Sequence, residues 1–131
     1  MWFKLPALVF GFALLAKGFA GLLMPERFYG WRRAQFSAQR VPGAVLVSPA
    51  IAAGLAAVTW YAVIFHAIAW GWVTAVMLTL GALAGGINLA RWPVYREHGL
   101  RMVTTPTFHR RLDRSIVAGG CAVLAFAFTV Y

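Results

Sequence analysis

The chain has 131 residues, of which 62% are hydrophobic and only 11% are charged, with a net charge of +9. A water-soluble domain of this length leaves a large share of its surface exposed and is usually about 25% charged, so this composition excludes an ordinary soluble fold. The strong positive charge would suit a nucleic-acid binder on a soluble protein, but here it sits in short segments beside apolar runs, and no nucleic-acid partner is expected.

The first apolar run covers about 3–24. Residues 1–4 supply only one side-chain charge, Lys4, and no small-residue cleavage site follows the run cleanly, so it reads as a retained helix rather than a signal peptide. Lys17 is the one strong charge inside it, eight residues before Pro25 and roughly 12 Å from the end of the helix. Such a lysine can snorkel to the headgroups, or face an internal cavity or a partner.

A basic segment follows at 25–42, with Arg27, Arg32, Arg33, Arg40 and a single acid, Glu26. Next, residues 43–90 form one long apolar run whose only ionisable group is His66. A ~30 Å hydrocarbon core needs only about 20 helical residues, so this run must fold back once. That gives helices at about 43–64 and 70–90, joined by a tight, nearly uncharged turn. Pro49 either opens the first of these, after a Ser48 cap, or kinks a helix that starts near Gly43. Asn88, near the end of the third helix, is suited to hydrogen bonding across helices. Gly81 and Gly85 form a small-xxx-small pattern that favours close helix packing.

The second basic segment, 91–114, holds Arg91, Arg96, Arg101, Arg110, Arg111 and Arg114 with Glu97 and Asp113. Its part from Phe108 to Ser115 is amphipathic and suited to the membrane interface. The last apolar run covers 115–131 and carries the single Cys121, which has no intrachain partner.

The fold class expected is therefore all-α: a polytopic membrane protein of four transmembrane helices arranged as two helical hairpins in one domain. A constant shift brings Leu15, Ala16, Gly18 and Pro25 onto Leu83, Ala84, Gly86 and Pro93, in keeping with two similar halves. The positive-inside rule puts both basic loops in the cytoplasm and both termini on the other side, as in a bacterial inner membrane. Trp and Tyr gather at both expected interfaces. Arg27, Arg32, Arg33, Arg96, Arg110 and Arg111 are candidates for contact with anionic headgroups or with a partner subunit.

No acidic residue falls within an expected span, which argues against proton-coupled transport of the kind run by small multidrug exporters, whose membrane glutamate is missing here. No Ser-His-Asp set, phosphate loop or metal-ligand spacing occurs, so neither an enzyme nor a bound cofactor is expected.

The stretch from Gly18 through Pro25 to Phe28 (GFAGLLMPERF) resembles the start of DoxX-like small four-helix membrane proteins. Gly21 stands where that pattern carries a lysine, and the early glutamate of their second helix is missing. The resemblance covers about a dozen residues. It implies a four-helix bundle associated with a redox or respiratory partner, and it assigns no catalytic residue. Ala62-xxx-His66 is similar in spacing to the pigment-binding histidine of bacterial light-harvesting polypeptides.

Three functions remain in view. The first is a non-catalytic accessory subunit that packs through its helices in a larger membrane complex. The second is a small oligomeric channel or carrier for an ion or solute, an anion included, with Lys17 and Asn88 along the path. The third is a pigment- or haem-binding protein using His66.

Overall fold

A computed structural model describes residues Trp2–Tyr131. The chain is all-α, and no strand occurs among the described residues. A single 3₁₀ turn (Trp2–Lys4) leads into α1 (Leu5–Leu23). Then come α2 (Pro25–Ser37), α3 (Gly43–His66), α4 (Gly71–Ala90), α5 (Trp92–Val103) and α6 (Pro106–Val130). Four helices are long and apolar enough to cross a membrane: Trp2–Leu23, Gly43–His66, Gly71–Ala90 and Pro106–Val130.

Prolines set most of the boundaries. Pro25, Pro93 and Pro106 each occupy the first turn of a helix, where the missing N–H has no intrahelical partner to lose. Thr105 is extended before Pro106, as the proline ring requires of its predecessor. Pro49 lies inside α3, which starts at Gly43, so Ser48 is not a cap. Its ring rests against Gly85 of α4, where a Cβ would come within 2.9 Å of it.

The basic segments are not loops. Helices α2 and α5 pack on each other around Phe36, Trp92 and Val103. Phe36 stacks on Trp92 at 6.1 Å and meets Tyr95 edge-on at 5.5 Å, and Arg32 lies 4.9 Å above the Phe36 ring. The indole of Trp92 and the guanidinium of Arg96 both donate to the carbonyl of Ala38. Burial of these aromatic residues gives two charged, proline-led segments a small core of their own, which caps one end of the bundle. Helix α6 likewise begins at Pro106, well before the apolar run at Ser115, so Arg110, Asp113 and Arg114 belong to it.

The most extensive helix pairings are α1 with α6 and α3 with α4. The first and last spans thus lie side by side, as do the two middle ones, whereas the spans within each half of the sequence (α1 with α3, α4 with α6) touch little. Glycines allow the close approach: a Cβ on Gly11 would sit 2.7 Å from Leu124, and one on Gly18 would sit 2.5 Å from Val117. Leu15 fills the equivalent notch at Gly120. The α3–α4 pair is tied by Trp60, whose indole donates to Thr79 Oγ1 at 2.9 Å.

The end of the bundle opposite the α2–α5 cap is aromatic. There α3 turns into α4 through Ala67 (φ 46°) and Trp70 (φ 60°), both left-handed. Tyr131 donates to the Trp70 carbonyl and shares a hydrogen bond with Thr74.

Candidate functional site

The α1–α6 and α3–α4 pairs meet through α1 and α3 and, at the aromatic end, through Tyr131 and Thr74. Between them, at the basic end, lies a half-open cavity of about 350 Å³. Small residues on α3 and α4 hollow it out: Ala44, Ala52, Gly81 and Gly85 all line it. A Cβ on Gly81 would meet nothing within 4 Å. Gly81 therefore opens on the cavity, whereas Gly85, one turn on, touches Pro49.

Helix α1 contributes Phe10 and Lys17, seven residues apart and so on one face. Helix α2 adds Phe28, Trp31 and Arg32, and α3 adds Ser48. Helices α4 and α5 add Asn88 and Tyr95. The walls are mainly apolar and the polar groups are few, which is the make-up of a ligand site. Two of those groups are cations. Lys17 lies in the field of both Arg32 and Asp113. Among the described residues the only ion pair is Glu97–Arg101, so neither Lys17 nor Arg32 is neutralised by a salt bridge.

Asp113 lies behind this face, between α1 and α6. It is 1% exposed, and it packs against Gly21, where a Cβ would fall on its carboxylate. The hydroxyl of Tyr29 donates to Asp113 Oδ2 at 2.5 Å, and the Tyr29 ring lies 3.9 Å from that of His109. Burial, and after it the bond to the Asp113 carboxylate, push the Tyr29 phenol well above the ordinary tyrosine value and keep it a donor. His109 Nδ1 and Gln35 Oε1 are buried without a hydrogen-bond partner.

The expectation that no acid lies within a spanning helix is corrected by Asp113. It continues the stripe Val117, Gly120, Leu124 and Ala127 that faces α1, at the helical spacings of four and three. That spacing, together with Gly11, Gly18 and Gly21 on α1, was the sequence signal for this site.

The remaining candidates are dispersed. His66 is exposed at the aromatic end, edge-on to Trp2 at 5.4 Å and near Tyr61 at 5.9 Å. His98 and His109 belong to the basic end, on α5 and α6. Among the described residues no group of three His, Cys, Asp or Glu is placed to hold a metal. Arg27 and Arg33 are exposed on α2, and Arg96 is held half-buried by the Ala38 carbonyl. Arg110 and Arg111 line a shallow depression on α6 with Arg114.

Comparison of the chain with protein-family models, curated proteins and solved structures finds no match.

Proposed function

We propose that the protein is a small membrane carrier or channel for an anionic solute with an apolar part, and that the cavity between the two helix pairs is its binding site. One observation supports this above all: Lys17 and Arg32, both without a salt bridge, line the same apolar-walled cavity with Ser48 and Asn88. In a low-dielectric wall a cation without an ion-pair partner is costly, and an incoming anion lowers that cost. Lys17 and Arg32 supply the charge, Ser48 and Asn88 supply hydrogen bonds, and Phe10, Phe28 and Trp31 cover the apolar part. The excess of arginine at the α2–α5 end supports a cytoplasmic orientation for that end, with both termini on the opposite side, as in a bacterial inner membrane.

The test is uptake into proteoliposomes of benzenesulfonate, a permanently charged aromatic anion that crosses lipid slowly. Saturable uptake is expected, with no uptake of benzyltrimethylammonium. Lys17→Met is expected to reduce uptake at least about tenfold, the loss of roughly one charge interaction in a low-dielectric site. Equal uptake of both probes, or full activity of Lys17→Met, would remove the proposal.

An accessory role in a larger complex is the second reading. It is favoured by Gly54, Gly86 and Gly119, whose missing side chains face open space on three different helices and would let another helix approach. Native gel analysis of a mild-detergent extract separates the two readings: fixed-stoichiometry co-migration with other subunits favours this one.

A further inference from the structure

The three arginines on α6 have a setting of their own, apart from the cavity. Arg110, Arg111 and Arg114 line one shallow depression of about 550 Å³ with Thr107, Ser115 and Ala118. All three arginines are exposed. The single acid of α6, Asp113, is turned to the opposite side of the helix, buried against Gly21 and bonded to Tyr29. With Glu97 paired to Arg101, no carboxylate among the described residues forms a salt bridge to any of the three. Three guanidinium groups thus share one patch with no carboxylate among them, a set of donors matched to the oxygens of an anion.

Depth identifies the anion. Helix α6 has 25 residues and is roughly 37 Å long, more than the ~30 Å hydrocarbon core requires. Counted back from Val130, the core takes up about 20 residues, so the turn from Arg110 to Arg114 lies where the helix leaves the hydrocarbon, with its guanidinium groups within snorkelling reach of the lipid phosphates. Ala118, one turn deeper, lies among the acyl chains. A free anion would sit in an open, solvated groove and be screened there. A lipid phosphate is held at that depth by its own chains, and its tail continues over Ala118.

We propose that this face of α6 is a discrete headgroup site for an anionic phospholipid, with Arg110, Arg111 and Arg114 as the phosphate ligands. The site is independent of any solute in the cavity.

The test is native mass spectrometry of the full chain in mild detergent, titrated with palmitoyl-oleoyl phosphatidylglycerol, with the corresponding phosphatidylcholine, or with inorganic phosphate. Wild type is expected to retain phosphatidylglycerol over phosphatidylcholine. The triple variant R110Q/R111Q/R114Q is expected to lose that retention about tenfold or more, since each arginine contributes to headgroup attraction. The single variants R110Q and R114Q, which disturb the helix less, are expected to fall between. The control R27Q/R33Q, which removes two exposed arginines from α2, is expected to leave retention unchanged. Unchanged retention in the triple variant would overturn the site. So would an equal loss in the control, which would mean diffuse attraction to the basic face. Displacement of phosphatidylglycerol by inorganic phosphate at equal concentration would overturn the lipid assignment in favour of a free anion.

Discussion

The Tyr29 hydroxyl reaches Asp113 Oδ2 at 2.5 Å from a helix 84 positions away in sequence, and so joins the cap of the bundle to its first-and-last helix pair. The carboxylate is otherwise enclosed by Gly21, and nothing else among the described side chains donates to it.

Tyr29→Phe removes that donor and leaves a buried carboxylate unpartnered. A loss of roughly 1–3 kcal/mol is expected. Asp113→Asn keeps an acceptor for Tyr29 and removes the charge, and is expected to cost less. Chemical unfolding in detergent micelles checks both, and the double variant tests their coupling: strictly additive losses would show that the Tyr29 hydroxyl gains nothing from the charge of the carboxylate.

The same pair predicts a pH dependence. The Tyr29 pKa is higher in the folded protein than in the unfolded chain, where it lies at about 10. Its proton is therefore bound more tightly in the native state. The contribution is complete below pH about 10, and it is lost as the pH rises from there toward the folded value. Melting curves from pH 7 to 11 are expected to show wild type losing more stability above pH 10 than Tyr29→Phe. Parallel curves would contradict this.

Glycines separate by what lies over them. Gly21→Ala drives a methyl group into the Asp113 carboxylate and is expected to destabilise by about 1–3 kcal/mol. Gly86→Ala meets nothing within 4 Å and is expected to be neutral, or stabilising by up to about 1 kcal/mol through helix propensity. Thermal melts of the two variants should move in opposite directions or, at the least, differ clearly.

At the aromatic end, Ala67 holds a left-handed conformation at the C-terminus of α3. A Cβ there costs on the order of 1 kcal/mol, so Ala67→Gly is expected to raise the melting temperature. A lowered one would show that packing of the methyl group outweighs the backbone term.

Blocking the cavity gives a steric test that leaves its charges in place. Gly81→Leu adds a side chain where there is open space on the cavity wall. It is expected to leave stability nearly unchanged and to suppress benzenesulfonate uptake. Undiminished uptake would mean that the solute does not pass through this cavity.

The four spans were legible because hydropathy accumulates over some twenty residues, and a charged interruption such as Lys17 barely alters the sum. The helicity of α2 and α5 was not legible. Both segments interrupt the apolar pattern with proline and arginine, while their helices are held by contacts such as Phe36 on Trp92 that join distant parts of the chain. Asp113 was missed for a related reason. Counted with the arginines around it, it looks like part of a polar loop, and only the phase of α6 shows that it alone points inward. Gly81 and Gly85 carry one motif but have two surroundings, open space and Pro49. Spacing alone cannot distinguish a packed notch from a hollow.

The pairing of α1 with α6 also imposes an order on biosynthesis. Helices α3 and α4 are neighbours in the chain and can close as a hairpin as soon as both have left the ribosome. The glycine-notched face of α1 has no such neighbour and must wait, covered by lipid or by an insertase, until α6 is threaded in. Asp113 reaches the bundle at that same late moment, when Tyr29 is already there to receive it. A chain truncated before Pro106 and released from the ribosome should therefore be protected from protease across α3–α4 while α1 remains open to crosslinking by its surroundings.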